Sequence, residues 1–329
     1  VPRSGAIDPI SLRQGNALVG NEAYETAIEF RFLGPKIRVE QGTVRLGIAA
    51  NSTAILTCAK DGEIQNISPW QSVTLEEGDV LSIANLQKGA TGYVTVQGGL
   101  ELSPTLGSCS TYVRAKLGGI TGNLLQAGDQ LRTKQATPTV GLEKTVNHPF
   151  DDEGPLRVLL GPQDDYFSTE MLNKFCGDGF KVSGDVDRMG IRLKGDEITP
   201  LPEKSGDLIS DGLIPGAIQI PGDGQPIILC VDCQSIGGYP KIGTVITADL
   251  HRLGQIVPGQ DIQFEFIDLK GAQAALLNLE KRLHTSINSI QDYLGEGAVD
   301  LTALYECNLI GGVVDAQDTG HFPGHLEDT

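Results

Sequence analysis

A chain of 329 residues, 40% of them hydrophobic, is long enough for two domains of ordinary size, each with its own core. The formal charge of −17 argues against a phosphate backbone as partner, because nucleic-acid binding rests on clustered Lys and Arg. No apolar run approaches a bilayer span, and the opening "VPRSGAIDPI" lacks the apolar stretch of a secretory signal, so the expected location is the cytoplasm.

In chain order, "SLRQGNALVGN" is the first predicted helix, with Leu12, Ala17 and Leu18 available to one face. The runs "IEFRFLG", "TVRLGIAA", "AILTCA", "SVTL", "VLSIANL" and "GYVTVQGG" follow, alternating or β-branched and divided by glycine turns. They predict an all-β domain over residues 1–150. The polar passage "TKQATPTVGLEKTVNHPFDDEGP" marks a boundary to a second domain over residues 151–270. That domain holds predicted strands at "LRVLLGP", "FKVS", "GIRLKG", "GAIQI", "PIILCVD" and "IQFEF", with short helices at "STEMLNKF" and "ADLHRLGQI". From Ala272 to Leu294 the period lengthens. Ala275, Leu276, Leu279, Leu283, Ile287, Ile290 and Leu294 form one helical stripe, which predicts a helix packed on a barrel. The tail "DAQDTGHFPGHLEDT" is predicted to be poorly ordered, completing a third segment over 271–329.

Cys230 and Cys233 form the one Cys-x-x-Cys of six cysteines. A structural zinc site needs a second pair, and a redox site needs the pair at a helix start. Here the pair closes "PIILCVDC", a predicted strand, so no metal site is expected. Cys58, Cys109, Cys176 and Cys307 are isolated and are expected to be small buried hydrophobes.

Between Lys181 and Gln255 the sequence becomes crowded with glycines and polar groups: "KVSGDVDRMGIRLKG", "SDGLIPGAIQIPGDGQP", "VDCQSIGGYPKIG" and "VITADLHRLGQIVPG". These phrases resemble the Kip A-like family of 5-oxoprolinase subunits, also called allophanate hydrolase subunit 2. "PRSGAIDPISLRQGNALVGN", "GYVTVQGGL", "LGSCSTY", "LGG", "AGDQL" and "GPQDDYF" extend the resemblance over roughly residues 1–270. Relatives begin further upstream, and they often carry Arg where this chain has Cys233.

The resemblance implies a mainly β chain with few helices, built as two cyclophilin-like β-barrel domains. It implies work beside a Kip I-like partner, itself a 5-oxoprolinase component, in ATP-driven opening of 5-oxoproline to glutamate. The related urea carboxylase module implies an alternative, biotin-dependent carboxyl transfer to an amide. ATP or carboxybiotin would then arrive through partner proteins, including a biotin carrier protein; the chain has neither a Gly-x-x-x-x-Gly-Lys-Ser/Thr phrase nor a biotin-attachment phrase. A regulatory partner of a Kip I-like protein is the non-catalytic alternative.

The chemistry names its candidates. A carboxylate needs cations, and Arg188, Arg192 and Lys241 are nearest by motif. Amide recognition needs a donor beside an acceptor, which Gln219 or Gln225 provides. Asp187 or Asp232 would serve as base, and Lys241 completes the catalytic set. Gly237 and Gly238 would let backbone N–H groups approach a ligand, Tyr239 would stack on a planar ring, and Arg3 would line the pocket from the first domain. Structural alternatives stand beside these: Asp187 and Arg188 bracing a turn, Gly237 and Gly238 serving a hairpin, Gln219 facing solvent. Asp249 with Arg252 reads as a helical surface pair.

Overall fold

The short β-branched runs of the first half become strands β1 (Ala27–Arg31), β2 (Lys36–Arg38), β3 (Val44–Ala49), β4 (Ala54–Thr57), β5 (Ile64–Ile67), β6 (Gln71–Leu75), β7 (Val80–Ile83), β8 (Thr91–Val96) and β9 (Lys144–Val146). The structure is a computed structural model that describes residues 1–134, 137–139, 141–146, 152–177, 179–204 and 208–295. Strands β1-β8-β3-β6-β9 lie side by side in one antiparallel sheet, and β2-β7-β4-β5 in a second. Ile48, Leu75, Leu81 and Val94, all fully buried, share one core between them. Each such side chain contributes about 1.5–3 kcal/mol relative to exposure.

The predicted first helix is α1 (Pro9–Leu18). Asp8 starts it, its Oδ1 accepting the N–H groups of Ile10 and Ser11 at 3.0 Å each, and Pro9 occupies the first turn, where no donor is missed. The helix lies hard against β3 because two glycines face each other. A Cβ on Gly15 would stand 2.7 Å from Ala49 Cβ, and one on Gly47 would stand 2.5 Å from Thr95 Oγ1. Thr95 Oγ1 instead donates to the Gly15 carbonyl at 2.7 Å.

The second half contributes β10 (Leu156–Leu160), α2 (Thr169–Gly177), β11 (Phe180–Val186), β12 (Gly190–Lys194), β13 (Asp211–Gly212), β14 (Ala217–Gln219), β15 (Ile227–Leu229), β16 (Ile236–Gly237), β17 (Lys241–Val245), α3 (Leu250–Leu253), β18 (Asp261–Ile262) and β19 (Phe264–Phe266). Its main sheet runs β18-β11-β12-β15-β14-β17-β10-β19. The outermost members, β18 and β19, are separated in the chain by Gln263 alone, so the backbone itself closes the sheet into a barrel. Ile191, Ile218, Ile228 and Ile242 fill the interior, and Phe175 of α2 plugs it, stacked on Phe264 with ring centroids 4.4 Å apart. The chain is thus mainly β with few helices, as expected. Strand β15 ends at Leu229, before the two cysteines.

Val1–Asp292 form one compact unit with separate cores for the two halves. The proposed boundary at residue 150 falls in 147–151, outside the described residues, as do Cys307 and the tail after 295. Helix α4 (Leu269–Asn288) carries the predicted stripe: Leu279 and Leu283 pack with Ile10 of α1 and with Ile246 and Ala248 of the second half. It is shifted from the expected span. Asp268 caps it early by accepting Gly271 N–H at 2.7 Å, and Ile290 belongs to β20 (Ile290–Asp292), which pairs with β9 and extends the first sheet. Among the described residues, no helix is long and apolar enough to cross a membrane.

Asp152 ties α4 to α3, its carboxylate meeting Arg282 Nη1 at 2.5 Å and His251 Nε2 at 3.2 Å. Burial opposes its ionisation, but the hydrogen bonds from His251 and Arg282 outweigh it and hold the carboxyl at about 2, below the ordinary 3.8. A depressed carboxyl stabilises the fold above its unfolded value and loses that contribution as pH falls through the folded value. Asp152→Asn should therefore cost roughly 2 kcal/mol at neutral pH. Denaturant unfolding across an acid series should show the gap to the parent closing as pH falls toward about 2.

Candidate functional site

Alternation along the second barrel decides where its polar side chains go. Ile218, Ile228 and Ile242 point inward, so their neighbours Gln219, Leu229 and Lys241 point outward. That outer face is covered. Strands β13 and β16 pair into a separate two-stranded ribbon, Asp211 opposite Gly237 and Gly212 opposite Ile236. Leu213, Ala217, Leu229 and Cys233 pack into a small apolar layer on the same outer face.

Gln219 and Lys241 are direct partners across the β14–β17 ladder. Both are buried, at 2% and 4% exposure, which removes the solvent-facing alternative for Gln219. The Lys241 ammonium donates to Asp211 Oδ2 at 3.1 Å, and its backbone N–H to Gln163 Oε1 at 3.2 Å. The backbone N–H of Gly212, followed by the Lys241 ammonium, holds the Asp211 carboxyl below its ordinary range. Gln219 Nε2 is sealed from solvent with no acceptor among the described residues. An unmet buried donor costs about 1–3 kcal/mol, so a ligand that supplies an acceptor recovers that loss. Gly237 makes the arrangement possible, since a Cβ there would lie 2.9 Å from Gln219 Nε2 and 2.7 Å from Leu213 Cδ1.

Leu213 also borders a cavity of about 380 Å³, lined further by Pro215, Cys233, Ser235, Thr244 and the exposed Arg3. Thr244 pairs with Ala217 on the ladder that carries Gln219 and Lys241, so cavity and polar cluster are neighbours. Tyr239 is 45% exposed just before β17, and the Gly238 carbonyl accepts the Leu208 N–H at 3.1 Å.

The structure thus brings Gln219, Gly237 and Lys241 together and adds Asp211 and Gln163, which sequence reasoning did not single out. It directs the other candidates elsewhere. Arg188 forks onto Asp232, with Nε and Nη2 at 2.8 and 3.1 Å, donates to the Gly5 carbonyl at 2.7 Å, and pairs with Glu29 of β1. These carboxylates raise the guanidinium pKa despite burial, which works against it. Glu29 continues the chain of contacts: its Oε2 accepts the Tyr93 hydroxyl at 2.8 Å, and Tyr93 accepts the Asp8 N–H at 3.0 Å. Arg188 and Asp232 are therefore the centre of a polar seam between the two halves.

Asp187 does not brace Arg188. Its Oδ1 accepts the N–H groups of Met189 and Gly190 and shapes its own turn. Gln225 spends both ends of its amide on Gly195, and Arg192 is exposed on β12. Asp249 is no surface residue: it is 1% exposed and takes a two-pronged contact from Arg157, with Arg252 at 3.5 Å.

Cys230 and Cys233 lie in a turn, the Cys233 N–H donating to the Cys230 carbonyl at 3.1 Å. Cys230 belongs to the barrel interior and Cys233 to the outer apolar layer. Burial pushes the Cys230 thiol up to about 12 and also raises Cys233, so neither is a thiolate at neutral pH. Cys58, Cys109 and Cys176 are half-buried rather than buried as expected. Among the described residues no three His, Cys, Asp or Glu side chains converge as a metal ion requires.

Known proteins share this arrangement of strands. Residues 1–266 match the family profile described as "Carboxyltransferase domain, subdomain A and B". A 5-oxoprolinase subunit of Escherichia coli (strain K12) is 31% identical over 286 residues, covering 84% of this chain and 86% of that protein. Among solved structures, TTHA0988 is 33% identical with a TM-score of 0.69 over 80% of this chain. The Kluyveromyces lactis urea carboxylase is 26% identical with a TM-score of 0.75 over 89%. This chain spans 51% of the first solved chain and 27% of the second. With its profile match running through both halves, the chain belongs to the carboxyltransferase domain family, subdomains A and B.

Proposed function

We propose that this chain is the amide-binding subunit of a 5-oxoprolinase-type complex. It contributes the site at which a lactam N–C=O unit is held while its C–N bond is opened to glutamate. The observation that carries the reading is the sealed, unpartnered amide nitrogen of Gln219, directly across the ladder from Lys241 with its buried ammonium. A carboxamide offers one donor and one acceptor in a plane, the complement of an amide or lactam edge. Lys241 supplies a positive charge for a negative oxygen of the substrate. The leaving nitrogen takes a proton and the carbonyl carbon gains a hydroxyl from water, with ATP hydrolysis driving the step. The chain carries no Gly-x-x-x-x-Gly-Lys-Ser/Thr phrase, so ATP is assigned to a Kip I-like partner within the 5-oxoprolinase complex. The name of the Escherichia coli relative, a subunit, supports work in a complex.

The solved urea carboxylase favours a second reading, carboxyl transfer to an amide nitrogen. There carboxybiotin, carried on another protein, would supply the carboxyl group and present a planar ureido edge to Gln219.

The full chain, combined with a Kip I-like partner, should convert 5-oxoproline and ATP to glutamate and ADP, with both proteins required. A rate unchanged when this chain is left out would leave it a regulatory binder. Consumption of urea and bicarbonate with a biotin carrier, and none of 5-oxoproline, would replace the first reading by the second.

A further inference from the structure

The buried pair at this site is lopsided, and that asymmetry bears on the charge of the substrate. The Lys241 side chain is 5% exposed, whereas its partner Asp211 is 58% exposed. The Arg188–Asp232 pair, in the seam between the halves, is enclosed on both sides, at 22% and 8%. A buried ammonium needs an anion, and enclosing both members protects the contact from water. Here the anion is exposed to solvent instead, on a strand only two residues long whose ladder is confined to Gly237 and Ile236. Such a short ribbon has little holding it in place. Gln219, directly opposite Lys241 on the ladder, keeps a donor unmet beside that contact.

Resting on the amide-binding reading above, we propose that the site selects small planar amides carrying a carboxylate of their own. The substrate carboxylate replaces Asp211 on Lys241 while Gln219 takes the adjoining amide edge. Asp211 is then an internal stand-in for the ligand, released as the β13–β16 ribbon gives way. A neutral amide leaves Lys241 with Asp211 and gains no ionic contact.

The test is binding of three small probes to the full chain, read by calorimetry or ligand-observed NMR: 5-oxoproline, 2-pyrrolidinone (the same ring without a carboxylate) and acetate. 5-Oxoproline should bind at least about tenfold more tightly than either of the others, the effect of one charge-assisted hydrogen bond in a dry site. Lys241→Met should bring 5-oxoproline down to 2-pyrrolidinone. Asp211→Asn should tighten 5-oxoproline by about three- to tenfold, because the competing internal anion is gone, and leave 2-pyrrolidinone unmoved. Equal binding of the two lactams, acetate binding as tightly as 5-oxoproline, weaker binding in Asp211→Asn, or no binding at all would each overturn the proposal. Glutamate formation by the reconstituted complex is a separate measurement, so loss of carboxylate selectivity is distinguishable from loss of the amide-opening reading.

Discussion

Arg188→Ala should destabilise the folded unit by about 3–5 kcal/mol, the penalty typical of removing one partner from a buried ion pair. The guanidinium answers two carboxylates at once, Asp232 at 8% side-chain exposure and Glu29 at 20%. Without it, both are left in a poorly hydrated seam beside the Tyr93 hydroxyl and the Gly5 carbonyl. Thermal unfolding should shift down on the order of 10 °C. A triple variant, Arg188→Met with Asp232→Asn and Glu29→Gln, removes the charges together and should recover much of the loss. A drop below about 1 kcal/mol would mean that water screens the contacts, as it does for exposed pairs. If the single variant keeps its stability and loses turnover, Arg188 binds an anion, as its motif implies.

Lys241→Met is expected to act in the opposite manner, sparing the fold and lowering kcat/KM by roughly 10- to 100-fold in the reconstituted complex. Its ammonium meets one exposed carboxylate, so an apolar chain of similar length strands nothing that water cannot reach. The loss should fall mainly on KM, since the ionic contact is made to the bound substrate before any charge develops. Unchanged kinetics in a folded Lys241→Met protein would remove this cluster from the site, and a loss confined to kcat would make Lys241 a stabiliser of the reacting oxygen. Comparing the two variants separates a residue that holds the halves together from one that meets substrate.

Strand positions were legible because alternation and glycine turns are local signals. Phe264 and the inward isoleucines fall where the period of two puts them. Gln219, Gly237 and Lys241 were also legible, since each stands in a phrase dense with polar groups that packing does not require. Asp211 and Gln163 stood in similar phrases too, yet nothing local marks them. Asp211 reaches Lys241 because two-residue strands pair across the chain, and Gln163 because the bend after β10 approaches β17. The pairing of Arg188 with Asp232 and Glu29 was not legible for a related reason. Glu29 lies far away in sequence, and a seam between two halves leaves the same crowding of charged residues as a pocket.

Closure of the second barrel through Gln263 has a consequence for how this chain can meet another. The eight-stranded wall ends in β18 and β19, two short strands that run end to end through Gln263, so its outer members are one stretch of backbone rather than two separate edges. The two sheets of the first half end in β1, β20, β2 and β5, each with one side unpaired within its sheet. A partner that docks by adding a strand has four ladders to extend on those sheets, whereas the second barrel offers only the free sides of β18 and β19, two and three residues long.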